Sequence, residues 1–165
     1  MPEFVLCEKD DDLQLAAALA DEIWHEHFPG MISLAQTDYM VGKFQSFESM
    51  KEQAENENYS YYLITADGEA IGYFAIAPKP DGTMFLSKLY IRREHRGKHY
   101  STAAFRFICD KARELGLGSV WLTVNKNNDR AIAAYEAFGM RVARTQQTDI
   151  GDGFIMDDYV YELEL

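Results

Sequence analysis

Leu89-Tyr90-Ile91-Arg92-Arg93-Glu94-His95-Arg96-Gly97-Lys98-His99-Tyr100-Ser101 is the stretch that decides the reading of this 165-residue chain. Apolar strand formers end at Ile91, and a short basic loop with one glycine follows. From Tyr100 the pattern changes to helical spacing, with Ala103, Ala104, Phe107, Ile108, Ala112 and Leu115 on one side. The first amides of a helix have no intrahelical acceptor, and the helix dipole places partial positive charge there. A loop that turns several N–H groups inward therefore makes a cradle for phosphate-type anions, and flanking lysine and arginine side chains add charge-assisted contacts.

The rest of the chain supplies the frame for that turn. Phe4 to Cys7 reads as a short strand, and Asp10-Asp11-Asp12 places acid at the positive end of a helix. That helix carries Leu13, Ala16, Ala17, Ala20, Ile23, Trp24, His27 and Phe28 on its apolar face, and Pro29-Gly30 ends it. A second helix is expected from Thr37 toward Glu57. Period-two patterning then predicts three antiparallel strands over 61–64, 70–77 and 84–91, joined by turns at Asp67-Gly68 and Pro80-Asp81-Gly82. After the helix from Tyr100 to Leu115 come a strand over 120–124 and a helix capped by Asn128 and closed by Gly139. Two last strands flank Gly151-Asp152-Gly153. Neither a repeat nor a linker interrupts the pattern, so one α+β domain over 1–165 with a mixed sheet is expected.

Composition excludes several classes. The chain holds 27 acidic and 16 basic residues, a net charge of −11, with pI near 4.7, which argues against a nucleic-acid partner. No run approaches about 18 apolar residues, the signal of a membrane helix, and the N-terminus has no basic, signal-type segment. A cytoplasmic protein without a membrane partner is the expectation. Cys7 and Cys109 have no zinc spacing, His25 and His27 cannot share a metal from one helix face, and His95 and His99 lack a carboxylate partner, so no metal is expected. The charge is also uneven: −10 over residues 1–60, +5 over 61–148 and −6 over 149–165. Lys88, Arg92, Arg93, Arg96 and Lys98 fall within eleven positions opposed by Glu94 alone; a solvated charged loop is one reading, and an anion site is the more economical one in an acidic protein.

The segment 89–101 resembles motif A of the GNAT superfamily of N-acetyltransferases, a strand followed by Arg/Gln-x-x-Gly-x-Gly/Ala. Asn128-Asp129-Arg130-Ala131 and Tyr135-Glu136-Ala137-Phe138-Gly139-Met140 resemble its motif B, Asn-x-x-Ala followed by Tyr-x-x-x-Gly-Phe. The element order also matches that superfamily, and the likeness spans essentially the whole chain. It implies a mostly antiparallel sheet of about seven strands, with a splayed parallel pair at the cofactor site and about four flanking helices. It also implies acetyl-CoA as co-substrate, gripped at its pyrophosphate by Arg96, Gly97, Lys98, His99, Tyr100 and Ser101. Leu89, Tyr90 and Ile91 would pair with the pantetheine arm, and Asn125 and Asn128 would touch the cofactor. His99 and Ser101 stand where the motif has small residues. The expectation is that His99 takes helical φ, so that the loop forms without glycine.

In an enzyme of this kind the leaving group is a thiolate, and the resemblance makes Tyr135 the phenol that protonates it. Tyr135 also lies on an apolar stripe with Ile132 and Phe138, where it could simply pack. The incoming amine needs a base. Asp157 and Asp158 are the candidates, with Ser87 holding a water; a solvated acidic hairpin is the other reading of these carboxylates. Residues 153–159 loosely resemble the ending of bacterial small-amine and polyamine acetyltransferases, and the acidic ends favour a cationic acceptor. The expected function is direct acetyl transfer from acetyl-CoA to a primary amine of a small molecule, polyamine or protein. A homodimer is compatible with this reading. An acyl-CoA-binding module without turnover is the alternative, and a partner-binding domain the third.

Overall fold

The computed structural model describes residues 2–27 and 32–165, with His27 in its backbone only. The helix stop read at Phe28-Pro29-Gly30 lies outside the described residues. In chain order the elements are β1 (Glu3–Leu6), α1 (Asp10–His27), α2 (Leu34–Phe44), α3 (Phe47–Asn56), β2 (Ser60–Ala66), β3 (Glu69–Pro78), β4 (Thr83–Ile91), α4 (Tyr100–Glu114), β5 (Ser119–Asn125), α5 (Asp129–Ala137), β6 (Arg141–Gly151) and β7 (Phe154–Glu164), with a single 3-10 turn at Arg93–His95. The strands form one sheet in the order β1-β2-β3-β4-β5-β7-β6. Every neighbouring pair is antiparallel except β4 and β5. The expected α+β class with one parallel pair is therefore present.

The stretch expected as one helix from Thr37 to Glu57 is two helices. Apolar periodicity runs through the junction, but Ser46 takes extended backbone and its side chain accepts from the Ser49 amide at 3.2 Å, capping α3. Gln45 leaves the helix with its side chain turned inward, accepting from the Tyr73 hydroxyl at 2.9 Å. The break leaves the carbonyl of Phe44 facing the interior, where Lys88 meets it.

Two apolar clusters cover the two faces of the sheet. On one face α4 packs with α5 over Phe74, Ile76, Met84, Leu86, Leu122 and Tyr161. On the other, α1 to α3 pack over Tyr61, Leu63, Tyr73 and Ala75. The tight turns behave as their residues predict: Asp67 and Gly68, and Asp152 and Gly153, all have positive φ, as two-residue hairpin loops require.

Two irregularities in β4 create the site. Register with β3 shifts between Ala75–Lys88 and Ile76–Leu86, so Ser87 is an extra residue and the strand bulges there. The parallel ladder to β5 joins Thr83–Phe85 with Ser119–Trp121 and then ends, while β5 continues along β7 as far as Asn125–Asp158. Beyond the bulge, β4 and β5 therefore part. Gly72 of β3 lets this half of β4 lie close, since a Cβ there would sit 2.3 Å from the Tyr90 carbonyl oxygen.

Candidate active site

A cavity of about 400 Å³ fills the gap between the parted strands and is lined from both faces of the sheet. At one end is the turn from β4 into α4. The Arg92 amide donates to the Ile71 carbonyl at 2.8 Å, holding the loop to β3. Arg96 folds back, its Nε donating to the Ile91 carbonyl at 3.0 Å. Gly97 has φ 78° and His99 φ 63°, so both are left-handed, and Tyr100 starts the helix. Ala103 is the first residue whose amide is bonded back to the loop, at His99, which leaves the amides of Tyr100 to Thr102 without an intrahelical acceptor. His95, Arg96, His99 and, from α5, Arg130 surround this end. Burial lowers the Arg96 pKa, and nearby Arg130 and Arg93 lower it further, so an anion would relieve this crowding of positive charge.

The expectation that His99 takes helical φ is corrected: it occupies the left-handed position that glycine would fill at least cost. Histidine visits that region more readily than most residues, and this one is exposed, without a side-chain cap bond to α4.

Tyr90 of β4, Tyr135 of α5 and Asp158 of β7 line the same cavity. Burial raises the Tyr90 phenol pKa, and the proximity of Tyr135 and Asp158 raises it further. Burial alone pushes Tyr135 up to about 12, so it is a protonated phenol at neutral pH. Asp158 is 2% exposed and its Oδ2 has no hydrogen-bond partner among the described residues. Burial pushes its carboxyl up to about 6, with Asp157 adding to the rise and Lys126 opposing it. Asp157 does not join this group. It points to the other face, with Oδ1 2.9 Å from Lys126 Nζ, and does not line the cavity.

The far end is walled by Trp24, Met40, Phe44, Tyr59, Tyr90 and Met156, all on the α1–α3 face. Here the bulge delivers Lys88, which is 4% exposed. Its ammonium donates to Phe44 O at 2.6 Å, to Gln53 Oε1 at 2.9 Å and to the Tyr61 hydroxyl. Burial pushes its pKa down to about 7. Ser87 is hydrogen-bonded to the Tyr59 hydroxyl, so it too is partnered at this end.

The sequence profile of the Acetyltransferase (GNAT) family matches residues 17–140, three quarters of the chain, including both the β4–α4 turn and α5. The chain belongs to the GNAT acetyltransferase family. An N-acetyltransferase of Mycobacterium bovis is 31% identical over 105 residues, 62% of this chain and 67% of that one. The streptothricin acetyltransferase of Streptomyces lavendulae is 29% identical over 93 residues, 56% of this chain and 49% of that one. In fold, the protein is similar to the PaiA N-acetyltransferase of Thermoplasma acidophilum, solved in complex with coenzyme A, with a TM-score of 0.82 at 18% identity, covering 100% of this chain and 99% of that one. This protein is accordingly an N-acetyltransferase of the GNAT type.

The β4–α4 end of the cavity fits the acetyl-CoA that the resemblance to the family implies. It offers helix-start amides without an intrahelical acceptor, a basic rim of His95, Arg96, His99 and Arg130, and an open Gly97, whose Cβ position has no atom within 4 Å. Of the residues expected to hold the cofactor, Leu89, Tyr90, Ile91, Arg96, Gly97, His99, Tyr100, Ser101, Asn125 and Asn128 all line the cavity. Lys98 does not; it is exposed on the outer side of the loop. The two asparagines also shape their own turn: Asn125 Oδ1 accepts from the Asn127 amide at 2.8 Å, and Asn128 Oδ1 from Ala131 at 3.3 Å, capping α5.

The basic cluster read from the sequence does not act as one anion site. Arg92 is paired with Glu22 at 3.0 Å and Glu69 at 3.2 Å, and Arg93 donates to the Glu26 carbonyl at 2.9 Å, so both tie the loop to acidic neighbours. Lys88 serves the opposite end. Arg96 alone of the five lines the β4–α4 end of the cavity, joined by Arg130, whose signal was its place two residues into motif B. The acidic ends of the chain do border the far end, through Trp24, Met40, Phe44, Tyr59 and Met156, but their charges do not line it: among the described residues, Asp158 is the sole acid in the cavity wall. Those residues contain no cluster of metal ligands and no helix long and apolar enough to cross a membrane.

Proposed function

We propose that the enzyme moves an acetyl group directly from acetyl-CoA to a primary amine of a small molecule, with Asp158 and Tyr135 as its proton-handling pair. The observation that carries this reading is the buried Asp158 carboxylate, unpartnered at Oδ2, in the same cavity as the protonated Tyr135. Bound acetyl-CoA supplies an activated thioester. The amides of Gly97 to Ser101 with Arg96, His99 and Arg130 hold its phosphates, and the main chain of Leu89 to Ile91, freed from β5, is available to the pantetheine arm and to the acetyl oxygen.

At the reacting centre, ionised Asp158 attracts the incoming ammonium and accepts one of its protons, giving a neutral nitrogen. That nitrogen bonds to the acetyl carbon, the carbon–sulfur bond breaks, and Tyr135 gives its phenolic proton to the departing sulfur. The surplus proton on the new amide nitrogen leaves to solvent, and Tyr135 and Asp158 return to their starting states by exchange with water. Products are one N-acetyl amine and one free thiol.

The test is thiol release from acetyl-CoA with a panel of primary amines, the acetylated nitrogen being identified by mass spectrometry. Amine-dependent thiol release is expected. Heat stabilisation by CoA without turnover on any amine would leave a CoA-binding module instead.

A further inference from the structure

The acceptor end of the cavity has a charge pattern that the chain's overall acidity does not suggest. Its walls are mainly aromatic and thioether side chains, with Gln36, Gln45, Gln53 and Ser87 among them: Trp24 meets Tyr90 edge-on at 5.5 Å, Tyr73 backs Tyr90 at 5.7 Å, and Tyr59 meets Phe85 edge-on at 6.5 Å. Asp158 is the one acid among the described lining residues, and residues 28–31, outside the described part, contain none. The basic side chain deeper in is Lys88. All three protons of the Lys88 ammonium are committed to Phe44, Gln53 and Tyr61, so it can neither turn to grip a substrate carboxylate nor welcome a second ammonium.

A substrate with several ammonium groups would have to bury them against one carboxylate, a lysine amine whose hydrogens are already taken and largely apolar walls, which costs far more than it returns. A substrate with one ammonium and a flat apolar body meets complementary partners everywhere: Asp158 for the nitrogen, and ring faces and edges for the body. We infer that the acceptor is a monoamine with an aryl-type body, of the 2-phenylethylamine or tryptamine class, and that polyamines are rejected. The inference rests on the acetyl-transfer reading above and narrows it.

The test compares kcat/KM for 2-phenylethylamine, tryptamine, putrescine and spermidine with acetyl-CoA. The aryl amines should exceed spermidine by about tenfold or more, the scale on which an apolar pocket discriminates. A variant makes the inference falsifiable by gain. Gln36 lines the cavity near its mouth and is only partly buried, its Nε2 donating to the Ile155 carbonyl at 3.3 Å. Gln36→Glu adds the missing second carboxylate and should shift the ratio toward spermidine. Spermidine equal to or better than the aryl amines in the unmodified enzyme overturns the inference, as does a ratio unmoved by Q36E. A higher rate with butanoyl-CoA than with acetyl-CoA would assign the apolar walls to the acyl chain and overturn it too. Absence of turnover with every amine, alongside heat stabilisation by CoA, would instead bring down the transfer reading on which it rests.

Discussion

Asp157 and Asp158, adjacent in β7, face opposite sides of the sheet: one pairs with Lys126 at 2.9 Å on the α5 side, and the other is buried without a partner for Oδ2 in the cavity. Strand alternation makes the two carboxylates chemically unlike. With its carboxyl pushed up to about 6, Asp158 is ionised and able to take a proton only above that pH, so kcat/KM should rise through about 6. Asp158→Asn should cut kcat/KM by about a hundredfold and abolish that rise. Asp157→Asn breaks only a half-exposed ion pair and should change kcat/KM by about twofold or less. A pH–rate profile for the three proteins checks this; equal losses in both variants would remove the assignment of Asp158.

The raised carboxyl of Asp158 has a matching signature in stability. Its folded pKa exceeds the unfolded one, so between about 4 and 6 the folded state binds more protons and this group's contribution is lost as pH rises through about 6. Asp158→Asn should therefore gain stability relative to the parent as pH rises across that window. Urea unfolding at pH 4.5 and pH 7 measures the change.

Tyr135 is held above neutrality by burial alone, at about 12. It should supply its proton undiminished across the neutral range, with no falling limb of its own near pH 8 or 9. Tyr135→Phe keeps the ring that packs at 6.2 Å from Phe138 and removes only the hydroxyl. Turnover should fall by about tenfold or more while Tm barely moves. If turnover is unchanged, Tyr135 is a packing residue.

What could be read in the sequence, and what could not, follows from which signals are local. The β4–α4 turn and α5 were legible because their chemistry lies in contiguous motifs, and ten of the eleven cofactor-site expectations line the cavity. The break at Gln45-Ser46 was not, because Ser46 caps a new helix while Tyr39, Phe44, Phe47 and Met50 keep the apolar rhythm of one. Lys88 was misread for a related reason: in sequence it stands with Arg92 and Arg93, but the extra residue Ser87 turns its side chain toward α2 and α3. The contrast between Asp157 and Asp158 depends on register with β5, which no short window contains. Likewise the left-handed backbone of His99 belongs to the loop's closure on β3, where glycine would have advertised it.

His99 offers a direct measure of that closure. A non-glycine residue at φ 63° carries a cost of about 1–2 kcal/mol, partly offset because glycine loses more freedom on folding. His99→Gly should raise stability by about 0.5 kcal/mol and leave CoA binding at least as tight. His99→Val, branched at Cβ, should lower both. Thermal unfolding with and without CoA distinguishes these outcomes; a loss of CoA affinity in His99→Gly would show that the imidazole itself holds the cofactor.

Lys88 closes the interior at the other end of the site. Its ammonium satisfies the Phe44 carbonyl left by the helix break and bonds to Gln53 and Tyr61, so Lys88→Met keeps the bulk but strands those oxygens, at a cost of about 1–3 kcal/mol. The pH dependence carries the sharper sign. Burial lowers the folded pKa to about 7 from 10.5, so between those values the unfolded chain binds the extra proton and stability rises with pH. Lys88→Met lacks that rise, and the gap between parent and variant should widen from pH 7 to pH 9.5. Urea unfolding of both proteins at the two values measures it. A gap that stays constant would mean that the three oxygens hold Lys88 charged throughout, in which case the cation excluding a second ammonium from the acceptor end is permanent rather than titratable.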